Sequence, residues 1–259
     1  MRVSIVNCVS TAADLMKFSD QSLLRSAGHA NFDYVVVKWL ASPEVDEYLA
    51  RLPAIVHSIQ PVEGICVHVV EHQTDPAVGY VPNLRAMMNL GFSEGFRLNA
   101  YCGLVNTDCY FGPGWLRNLE RYATEDRVVN SLHITRATAP RPVRGIVTED
   151  LGIPLVGSFR FQRFVTLYDT HYRDELYEAP ADDYRQAATM PYLFHRKYWE
   201  ACGPWELTTE KGTPDVRFFD RVAAAGAKFC LSLSSIVYHY EALERRGKRP
   251  AGAEDLPEE

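Results

Sequence analysis

The sequence predicts an α/β domain built on a largely parallel β-sheet. Short apolar runs alternate with segments of helical periodicity along most of the 259 residues, which is typical of successive βαβ units. Hydrophobic residues make up 47% of the chain and charged residues 23%, an ordinary composition for a globular protein. A chain of this length can bury one sizeable core, so a single domain with an insertion accounts for it.

The first half of the chain contains four pairs of strand and helix. Each candidate strand is a short apolar run, and each candidate helix carries apolar residues at helical spacing. The second helix opens with Ser42-Pro43-Glu44, in which Ser42 suits the N-cap and Pro43 suits the first turn. We therefore predict strands at 3–6, 33–39, 65–70 and 100–106, followed by helices at 11–27, from 42 onward, at 81–96 and at 114–123.

Regular elements return in the second half of the chain. Residues 128–134 read as a strand, and residues 189–203 read as a strand that runs into a helix. Residues 214–229 predict a helix that is stopped at Gly226, which suits the left-handed position just past a helix end. A last strand is predicted at 230–240.

Two segments lack regular periodicity. Residues 135–188 are rich in proline, glycine and aromatic residues, and we expect them to form an irregular insertion that covers or extends a site. Residues 244–259 are charged and carry proline and glycine, so we expect a disordered tail. Residues 1–243 then form a single domain.

The bulk charge and the termini narrow the class of protein. A net charge of -6 gives no general attraction to nucleic acid or to an anionic membrane. The six cysteines show no CxxC spacing, which favours buried thiols in a reducing compartment. We see no signal peptide and no window near the ~18 apolar residues of a membrane span. We expect a cytoplasmic protein without a transmembrane segment.

Asp108 is a lone carboxylate at the end of a predicted buried strand. It follows the apolar run 100–106 and precedes a Gly112-Pro113-Gly114 turn. In open α/β sheets, ligands bind outside the carboxyl ends of the strands, so the position suits a binding residue. An aspartate beside glycine and proline is also a common turn residue or helix cap. The residues alone leave both interpretations open.

Five motifs in order resemble those of a family 2 glycosyltransferase with the GT-A fold. The resemblance covers about residues 1–123 and 189–241, and it leaves the insertion unmatched. It implies a Rossmann-like, mostly parallel sheet flanked by helices, an irregular insertion on the acceptor side and a small antiparallel C-terminal part. The motifs are MNLG (88–91), NTDCYFGPGWL (106–116), YLFHRKYWEACGPW (192–205), TPDVRFFDRVAAAGAKF (213–229) and IVYHY (236–240).

This resemblance implies that a sugar is moved from a nucleoside-diphosphate donor to a hydroxyl of a glycan or another acceptor, with inversion by direct displacement. The donor is a UDP-, GDP- or dTDP-sugar, and the sequence does not distinguish among them. Mn²⁺ or Mg²⁺ neutralises the charge that develops on the departing diphosphate. Asp108 and His239 stand where the family binds metal, and Asn106 stands where the chain contacts ribose or metal. A histidine in an aromatic strand is also often a packed residue.

Asp215 matches the general base of inverting relatives, which takes the proton of the acceptor hydroxyl. Pro214 replaces the first acid of the family's acidic pair. Asp215 also suits the N-terminus of the helix that follows it, where a negative charge is favourable. The two roles are compatible.

Further contacts are assigned by the same resemblance. Lys38 departs from the family because relatives carry an acidic residue there, and Lys38 cannot accept a hydrogen bond from a base. Trp39 is a candidate for stacking on the base instead. Trp205 suits a packing role as well as a substrate contact, and for Arg221 a structural salt bridge is the favoured role. The candidate donor-binding residues are Asn7, Val9, Trp39, Glu71, Arg85, Asn89 and Asn106, and the candidate substrate-binding residues are Trp205, Arg221 and His195.

Three other functions fit parts of the sequence. Lys38 and Pro214 suggest a catalytically degenerate protein that binds a nucleotide-sugar or a glycan without turnover. A transferase that glycosylates nucleic acid would use the arginines between positions 136 and 163, although the acidic net charge argues against it. A nucleotidyltransferase would carry a glycine-rich, arginine-bearing loop after the first strand, and this chain has none there.

Overall fold

A computed structural model describes residues 1–27, 31–60, 64–136, 146–180, 191–207 and 214–240, with the side chains of residues 214 and 215 excepted. The predicted tail at 244–259 and two stretches of the predicted insertion, 137–145 and 181–188, lie outside the described residues. None of the described helices combines the length and the apolar character needed to cross a bilayer.

The first half of the chain follows the predicted alternation closely. Ser42 caps the second helix as predicted, with its hydroxyl accepting from the backbone N–H of Val45 at 3.4 Å. The elements are β1 (Val3–Val9), α1 (Ala13–Ser26), β2 (Phe32–Lys38), α2 (Pro43–Ile59), β3 (Ile65–Glu71), α3 (Tyr80–Leu98) and β4 (Tyr101–Val105).

The second half contains more strands than were predicted. Three of them, β5, β7 and β8, have three residues each, and α5 lies within the segment predicted to be irregular. The elements are β5 (Cys109–Phe111), α4 (Trp115–Glu120), β6 (Arg127–Thr135), β7 (Ile146–Thr148), α5 (Phe161–His171), β8 (Leu176–Glu178), β9 (Tyr192–His195), α6 (Arg196–Cys202), α7 (Pro214–Ala224) and β10 (Lys228–His239).

All ten strands belong to one mixed sheet in the order β3-β2-β1-β4-β9-β6-β10-β5, with β7 on β6 and β8 on β10. Strands β1 to β4 pair in parallel, and β9 is inserted antiparallel between β4 and β6. Strands β6, β7 and β10 therefore run in the direction of β4, while β5 and β8 pair antiparallel with β10. The predicted α/β class with a mostly parallel sheet is confirmed.

The two faces of the sheet are covered by different helices. Ile5 and Tyr34 point to the face that packs against α1, α2 and α4, whereas Val6 and Val35 point to the face covered by α3. This alternation follows from the two-residue period of a strand. A third apolar cluster joins α5 to β6 and β10 through Phe164, Leu132 and Ile236, among others. The inserted segment thus has a core of its own.

Gly91 sets the distance between α3 and the sheet. A Cβ built at Gly91 would collide with a methyl group of Val6 and would lie 3.1 Å from Val37 Cγ2. We expect Gly91→Ala to lower the free energy of unfolding by about 1–3 kcal/mol, because overpacking outweighs the higher helix propensity of alanine. Urea denaturation measures the difference. Ser93→Ala, on the exposed side of the same helix, is the control and should be neutral or slightly stabilising.

Candidate functional site

Asp108 lies in a tight turn at the carboxyl end of β4. The backbone N–H of Cys109 donates to the carbonyl of Asn106 at 3.3 Å, which closes a four-residue turn between β4 and β5. The backbone N–H of Tyr240 donates to the carbonyl of Asp108 at 3.2 Å and fixes the turn to the end of β10. The Asp108 residue is only 4% exposed. A carboxylate is therefore held almost out of water at the edge where the parallel strands end.

Asn106, Asp108 and His239 come together as the sequence predicts. His239 Nε2 lies 3.2 Å from Asp108 Oδ1 and 3.1 Å from Asn106 Nδ2. As placed, the Asn106 amide donates to the lone pair of Nε2, so this nitrogen carries no proton to give to Asp108. A cation bound to both Nε2 and the Asp108 carboxylate would take the place of the Asn106 hydrogen bond on that lone pair.

Cys109 adds a third donor that the sequence analysis did not single out. Its sulfur, a carboxylate oxygen of Asp108 and a ring nitrogen of His239 all lie within 4.8 Å of one another. In the ladder between β5 and β10, Cys109 is the register partner of His239. A signal was present in the sequence, since a cysteine directly follows the candidate metal ligand. The geometry and the donor types of these three residues fit a divalent transition metal.

His133 of β6 lies next to His239. The sequence analysis did not single it out, because it lies within an apolar strand. Its ring centroid is 6.1 Å from that of His239. Burial, with a smaller contribution from His239, lowers the pKa of His133 to about 3. Its Nε2 atom has no hydrogen-bond partner among the described residues. His133 is therefore a neutral, buried neighbour that adds no positive charge beside His239.

Asn7 lies one strand away and belongs to a buried polar network. In register it pairs with Val105 at the end of β4. Its Nδ2 donates to the Tyr34 hydroxyl at 2.8 Å, and that hydroxyl donates to Asp20 at 2.5 Å. Tyr48 donates to the other oxygen of Asp20 at 3.0 Å. Asn7 Oδ1 is buried without a hydrogen-bond partner in the described part of the chain.

This network makes stability depend on pH through Asp20. Burial raises the pKa of Asp20 to about 7, against the hydrogen bonds from Tyr34 and Tyr48 that favour the carboxylate. The unfolded chain loses this proton near pH 4. Between about pH 4 and pH 7 the folded protein holds the extra proton, so this contribution to stability is complete below pH 4 and is lost as the pH rises through 7.

Asp20→Asn should remove that dependence. Between pH 5 and pH 8 the wild type should lose the Asp20 contribution to its free energy of unfolding, and Asp20→Asn should not. The difference between the two proteins should therefore shift by about 2–3 kcal/mol in favour of the variant, as measured by urea denaturation at both pH values. Asp14→Asn, at an exposed position of the same helix, is the control and should keep the wild-type trend. If the free energy of unfolding changed with pH in the same way in Asp20→Asn and the wild type, the assignment of the pH dependence to Asp20 would be wrong.

The outer strands place the other donor-side residues farther from Asp108. Trp39 is fully buried, and its indole N–H donates to Thr74 at 2.9 Å, so the structure gives it a packing role. Lys38 contacts Asp46 at 2.9 Å and Glu71 at 3.7 Å, which balances its charge. Val9 ends β1 on the same edge, and its carbonyl accepts from the Trp39 N–H at 3.1 Å. Glu71 ends β3, three strands from β4 and about 14 Å away.

Asn89, Trp205 and Arg221 form a structural unit on the α3 side of the sheet. Asn89 donates to the Trp205 carbonyl at 2.8 Å and accepts from its N–H at 2.9 Å. Arg221 donates to the carbonyls of Cys202 and Pro204 and to Glu206. The salt bridge that was the favoured role of Arg221 is present at 2.7 Å. Trp205 is 3% exposed and packs in the core.

Arg85 also lies on α3, one helical turn before Asn89, and its side chain is half-buried. It is therefore carried by the same helix that holds the Trp205 turn.

His195 lies at the opposite edge of the sheet from Asp108. It ends β9, which runs antiparallel to β4, and it pairs with Tyr101 at the start of β4. Its Nδ1 accepts from the N–H of Lys197 at 3.2 Å and caps α6. The structure does not bring His195 together with the other candidate residues.

Asp215 is the second residue of α7, and the structure describes only its backbone. Residues 225–227 connect α7 to the amino end of β10, so the last turn of α7 lies at the edge opposite His239. Phe219 of α7 packs against Phe229 at the start of β10 and against Tyr192, which pairs with Leu104 near the carboxyl end of β4. The eleven residues of α7, about 16 Å long, therefore run back toward the edge of Asp108.

The described arginines of the basic cluster are occupied by partners within the chain. Arg163 makes two hydrogen bonds to Glu149, at 3.0 and 3.2 Å. Arg136 donates to the Tyr240 hydroxyl at 2.5 Å. Arg141 and Arg144 lie outside the described residues. Glu149 therefore neutralises Arg163, whereas within the described residues Arg136 and Arg160 hydrogen-bond only to neutral oxygens and keep their positive charge.

The fold is similar to those of known glycosyltransferases. It matches S. aureus TarS 1-349 with a TM-score of 0.60 at 10% identity, over 93% of this chain and 61% of that chain. The same TarS segment in complex with UDP-GlcNAc gives 0.55 at 12% identity, over 96% and 60%. Mannosyltransferase PcManGT from Pyrobaculum calidifontis, in complex with GDP-Man and Mn²⁺, gives 0.55 at 12% identity, over 95% and 58%.

At these identities the likeness shows a GT-A-like glycosyltransferase fold. The chain spans about three fifths of the length of the structures it matches. No protein-family model matches the chain, and no curated protein matches it.

Proposed function

We propose that this chain is a metal-dependent glycosyltransferase, of the family 2 type, that moves a sugar from a nucleoside diphosphate to a hydroxyl acceptor with inversion. One observation carries the proposal: the Asp108 carboxylate and the His239 ring nitrogen face each other at 3.2 Å on the carboxyl edge of the sheet. Similar folds hold UDP-GlcNAc in TarS and GDP-Man with Mn²⁺ in PcManGT. The proposed donor is a UDP-, GDP- or dTDP-sugar.

Asp108 and His239 hold the divalent ion in this proposal, with Cys109 as a third ligand. The bound ion supplies Lewis-acid neutralisation of the diphosphate that leaves. On binding of the ion the Asn106 amide is displaced from Nε2 of His239, and the released amide is then available to the ribose of the donor. The tight turn from Asn106 to Cys109 and its backbone bond to Tyr240 keep these side chains in place before the donor binds.

Asp215 acts as the general base in this proposal. The oxygen of the acceptor hydroxyl forms a bond to the anomeric carbon, the bond from that carbon to the diphosphate oxygen breaks, and the hydroxyl proton passes to the Asp215 carboxylate. Inversion requires the base to lie across the sugar from the metal ligands. The position of the first turn of α7 toward the edge of Asp108 supports this assignment.

The ligand set predicts a preference among metals. An imidazole nitrogen and a thiolate sulfur favour first-row transition metals over Mg²⁺, which prefers oxygen alone. We expect donor binding to reach half-saturation at a Mn²⁺ or Co²⁺ concentration at least about tenfold below that of Mg²⁺. Isothermal titration with each metal measures this, and His239→Gln should narrow the difference. Equal half-saturation for all three metals would contradict the ligand set.

A catalytically degenerate protein that binds the donor without turnover is the second candidate. The ion pairs of Lys38 favour it. Lys38 is paired with Asp46 and Glu71 where relatives carry an acid that contacts the base, and Pro214 stands where they carry the first catalytic acid. Such a protein would bind the donor with metal and neither transfer nor hydrolyse it.

A nucleotide-sugar screen tests the proposed function. We expect one class of UDP-, GDP- or dTDP-sugar to raise the melting temperature in the presence of Mn²⁺ and not in the presence of EDTA. The enzyme should then release the nucleoside diphosphate from that donor, slowly with water and faster with an acceptor. Binding without release identifies the degenerate protein, and the absence of any stabilising donor contradicts both candidates.

A further inference from the structure

A cavity of about 560 Å³ lies beside the candidate site, between α1, β5 and the inserted segment. Its volume is within the range of small-molecule sites, about 300–1,000 Å³. Aromatic rings form a large part of its wall, among them Phe18 of α1, Tyr110 of β5, and Phe159, Phe161 and Phe164 of the inserted segment. Tyr110 stands at the centre of this wall, with its ring centroid 5.5 Å from that of Phe18 and 4.5 Å from that of Phe159.

Hydrogen bonds fix the part of the wall that belongs to the inserted segment to β10 and to the loop after β5. The Tyr238 hydroxyl of β10 accepts from the N–H of Leu151 at 3.3 Å and donates to the carbonyl of Gly152 at 3.0 Å. The N–H of Arg160 closes this loop by donating to the carbonyl of Leu151 at 2.8 Å. Tyr168 of α5 donates to the carbonyl of Pro113 at 3.0 Å. The cavity is therefore formed without a ligand, as binding sites usually are.

The buried serines of the wall are used within the chain, whereas the exposed Gln21, Arg25 and Asp169 line its open side. Ser22 donates to the carbonyl of Ser19 at 2.8 Å and accepts from the N–H of Phe111 at 3.1 Å. Ser26 donates to the carbonyl of Leu23 at 3.1 Å. In the inner part of the cavity, among the aromatic rings, the hydroxyls of a sugar would lack partners, which costs binding energy. The wall favours an apolar occupant.

The rim of the cavity is apolar on one side and charged on the other. Val156 is 90% exposed and Phe161 is 48% exposed, which leaves a hydrophobic lip open to solvent. Arg25, on the opposite side, is exposed and makes no hydrogen bond or ion pair with the described residues. Along α1, Ser19 lies beside Asn106 and Ser26 beside Gly114, so Arg25 lies at the end of the cavity away from Asp108.

The cavity begins close to the candidate catalytic edge, although Asp108 and His239 do not line it. Tyr110 follows Asp108 by two residues along β5, a separation of roughly 7 Å. A ligand that presents a hydroxyl at the edge near Asp108 can therefore extend its tail along β5 into the cavity.

We propose that this cavity binds the apolar tail of the acceptor, an alkyl or isoprenoid chain joined to the group whose hydroxyl receives the sugar. This inference rests on the proposed transferase function, because it assigns the acceptor of that same site. Phe18, Tyr110 and Phe159 hold the chain, and the head group stays at the edge near Asp108.

Alkyl glucosides of different chain length test the inference. Octyl β-glucoside, kept below its micelle concentration, should bind at least tenfold more tightly than methyl β-glucoside by isothermal titration. Phe161→Asp and Val156→Asp place a charge at exposed positions of the lip and should abolish this difference, with circular dichroism to confirm folding. Val69→Asp, which changes a valine that is 44% exposed on β3, is the matched control and should keep it.

A second readout ties the cavity to acceptor binding. With the donor identified in the nucleotide-sugar screen, octyl glycosides should accept sugar with a KM at least tenfold below that of methyl glycosides, and Phe161→Asp should remove the difference. Equal binding of the two glucosides, or a preference that survives in both lip variants, overturns the inference while donor binding leaves the proposed function standing. If no donor binds, both the proposed function and this assignment of the acceptor are wrong.

Discussion

Asp108→Ala should abolish metal-dependent donor binding and lower the rate of sugar transfer at least about 100-fold, since loss of a partner in the outer shell of a metal site alone costs about 10- to 100-fold. The reason is local. The Asp108 carboxylate is almost fully buried and faces His239 at 3.2 Å, and it supplies the negative charge of the proposed ligand set. Titration of the donor with Mn²⁺ and a nucleoside-diphosphate release assay measure both effects.

Asp108→Asn distinguishes the metal role from the turn role. Asparagine suits turns as well as aspartate does, so a residue needed only for the turn tolerates the change. A metal ligand does not, because the amide lacks the negative charge. We expect Asp108→Asn to fail like Asp108→Ala while keeping its melting temperature. Asp126→Ala, at the amino end of β6, is the control, and wild-type transfer by Asp108→Asn would refute the metal assignment.

Asp215→Asn should remove sugar transfer and leave donor affinity within about twofold of the wild type. A general base contributes about 10²- to 10⁴-fold to a rate, and asparagine cannot accept the proton of the acceptor. Isothermal titration of the donor and a sugar-transfer assay with the wild type and the variant measure the two effects.

The helix-dipole role of Asp215 predicts a different outcome. An acidic residue in the first turn of a helix contributes about 0.3–1 kcal/mol to stability and nothing to the chemistry. Asp215→Asn would then lower the melting temperature slightly and transfer sugar normally. Asp220→Asn, in the same helix, controls for loss of a negative charge from α7. Transfer at the wild-type rate by Asp215→Asn would show that another group is the base.

The location of Asp108 was predictable from strand direction, whereas His239 was singled out by the resemblance to glycosyltransferases. The apolar runs and helical patterns of the first half define β1 to β4 and their helices, and parallel strands bring their carboxyl ends to one edge. Asn106 and Asp108 follow β4, and His239 ends β10, which runs in the same direction. Their meeting at one edge follows from topology.

His195 shows where such reasoning fails. It also ends a strand, but β9 is antiparallel to β4, which carries His195 to the opposite edge. A strand's direction in the sheet depends on its long-range partners, and a single run of apolar residues does not reveal them. The three-residue strands β5, β7 and β8 were missed for a related reason, since they are too short to show a period.

Side-chain packing explains the burial of Trp39 and the apolar cavity, which the sequence analysis did not predict. Trp39 follows a strand that ends at the site edge, yet its ring is buried beside Tyr80 and His72. The apolar cavity joins Phe18, Tyr110 and Phe159, which are far apart in the sequence and meet only because α1, β5 and the inserted segment pack together. Neither result is encoded in a local pattern.

The most direct test of the account is the location of the metal. Crystals soaked with Mn²⁺ and the donor identified in the screen should show an anomalous difference peak at the manganese edge in contact with the Asp108 carboxylate and His239 Nε2, with the donor diphosphate on its other side. A bound donor without a peak there, or a peak held by other residues, would contradict the proposal that this edge of the sheet is a metal-dependent transferase site.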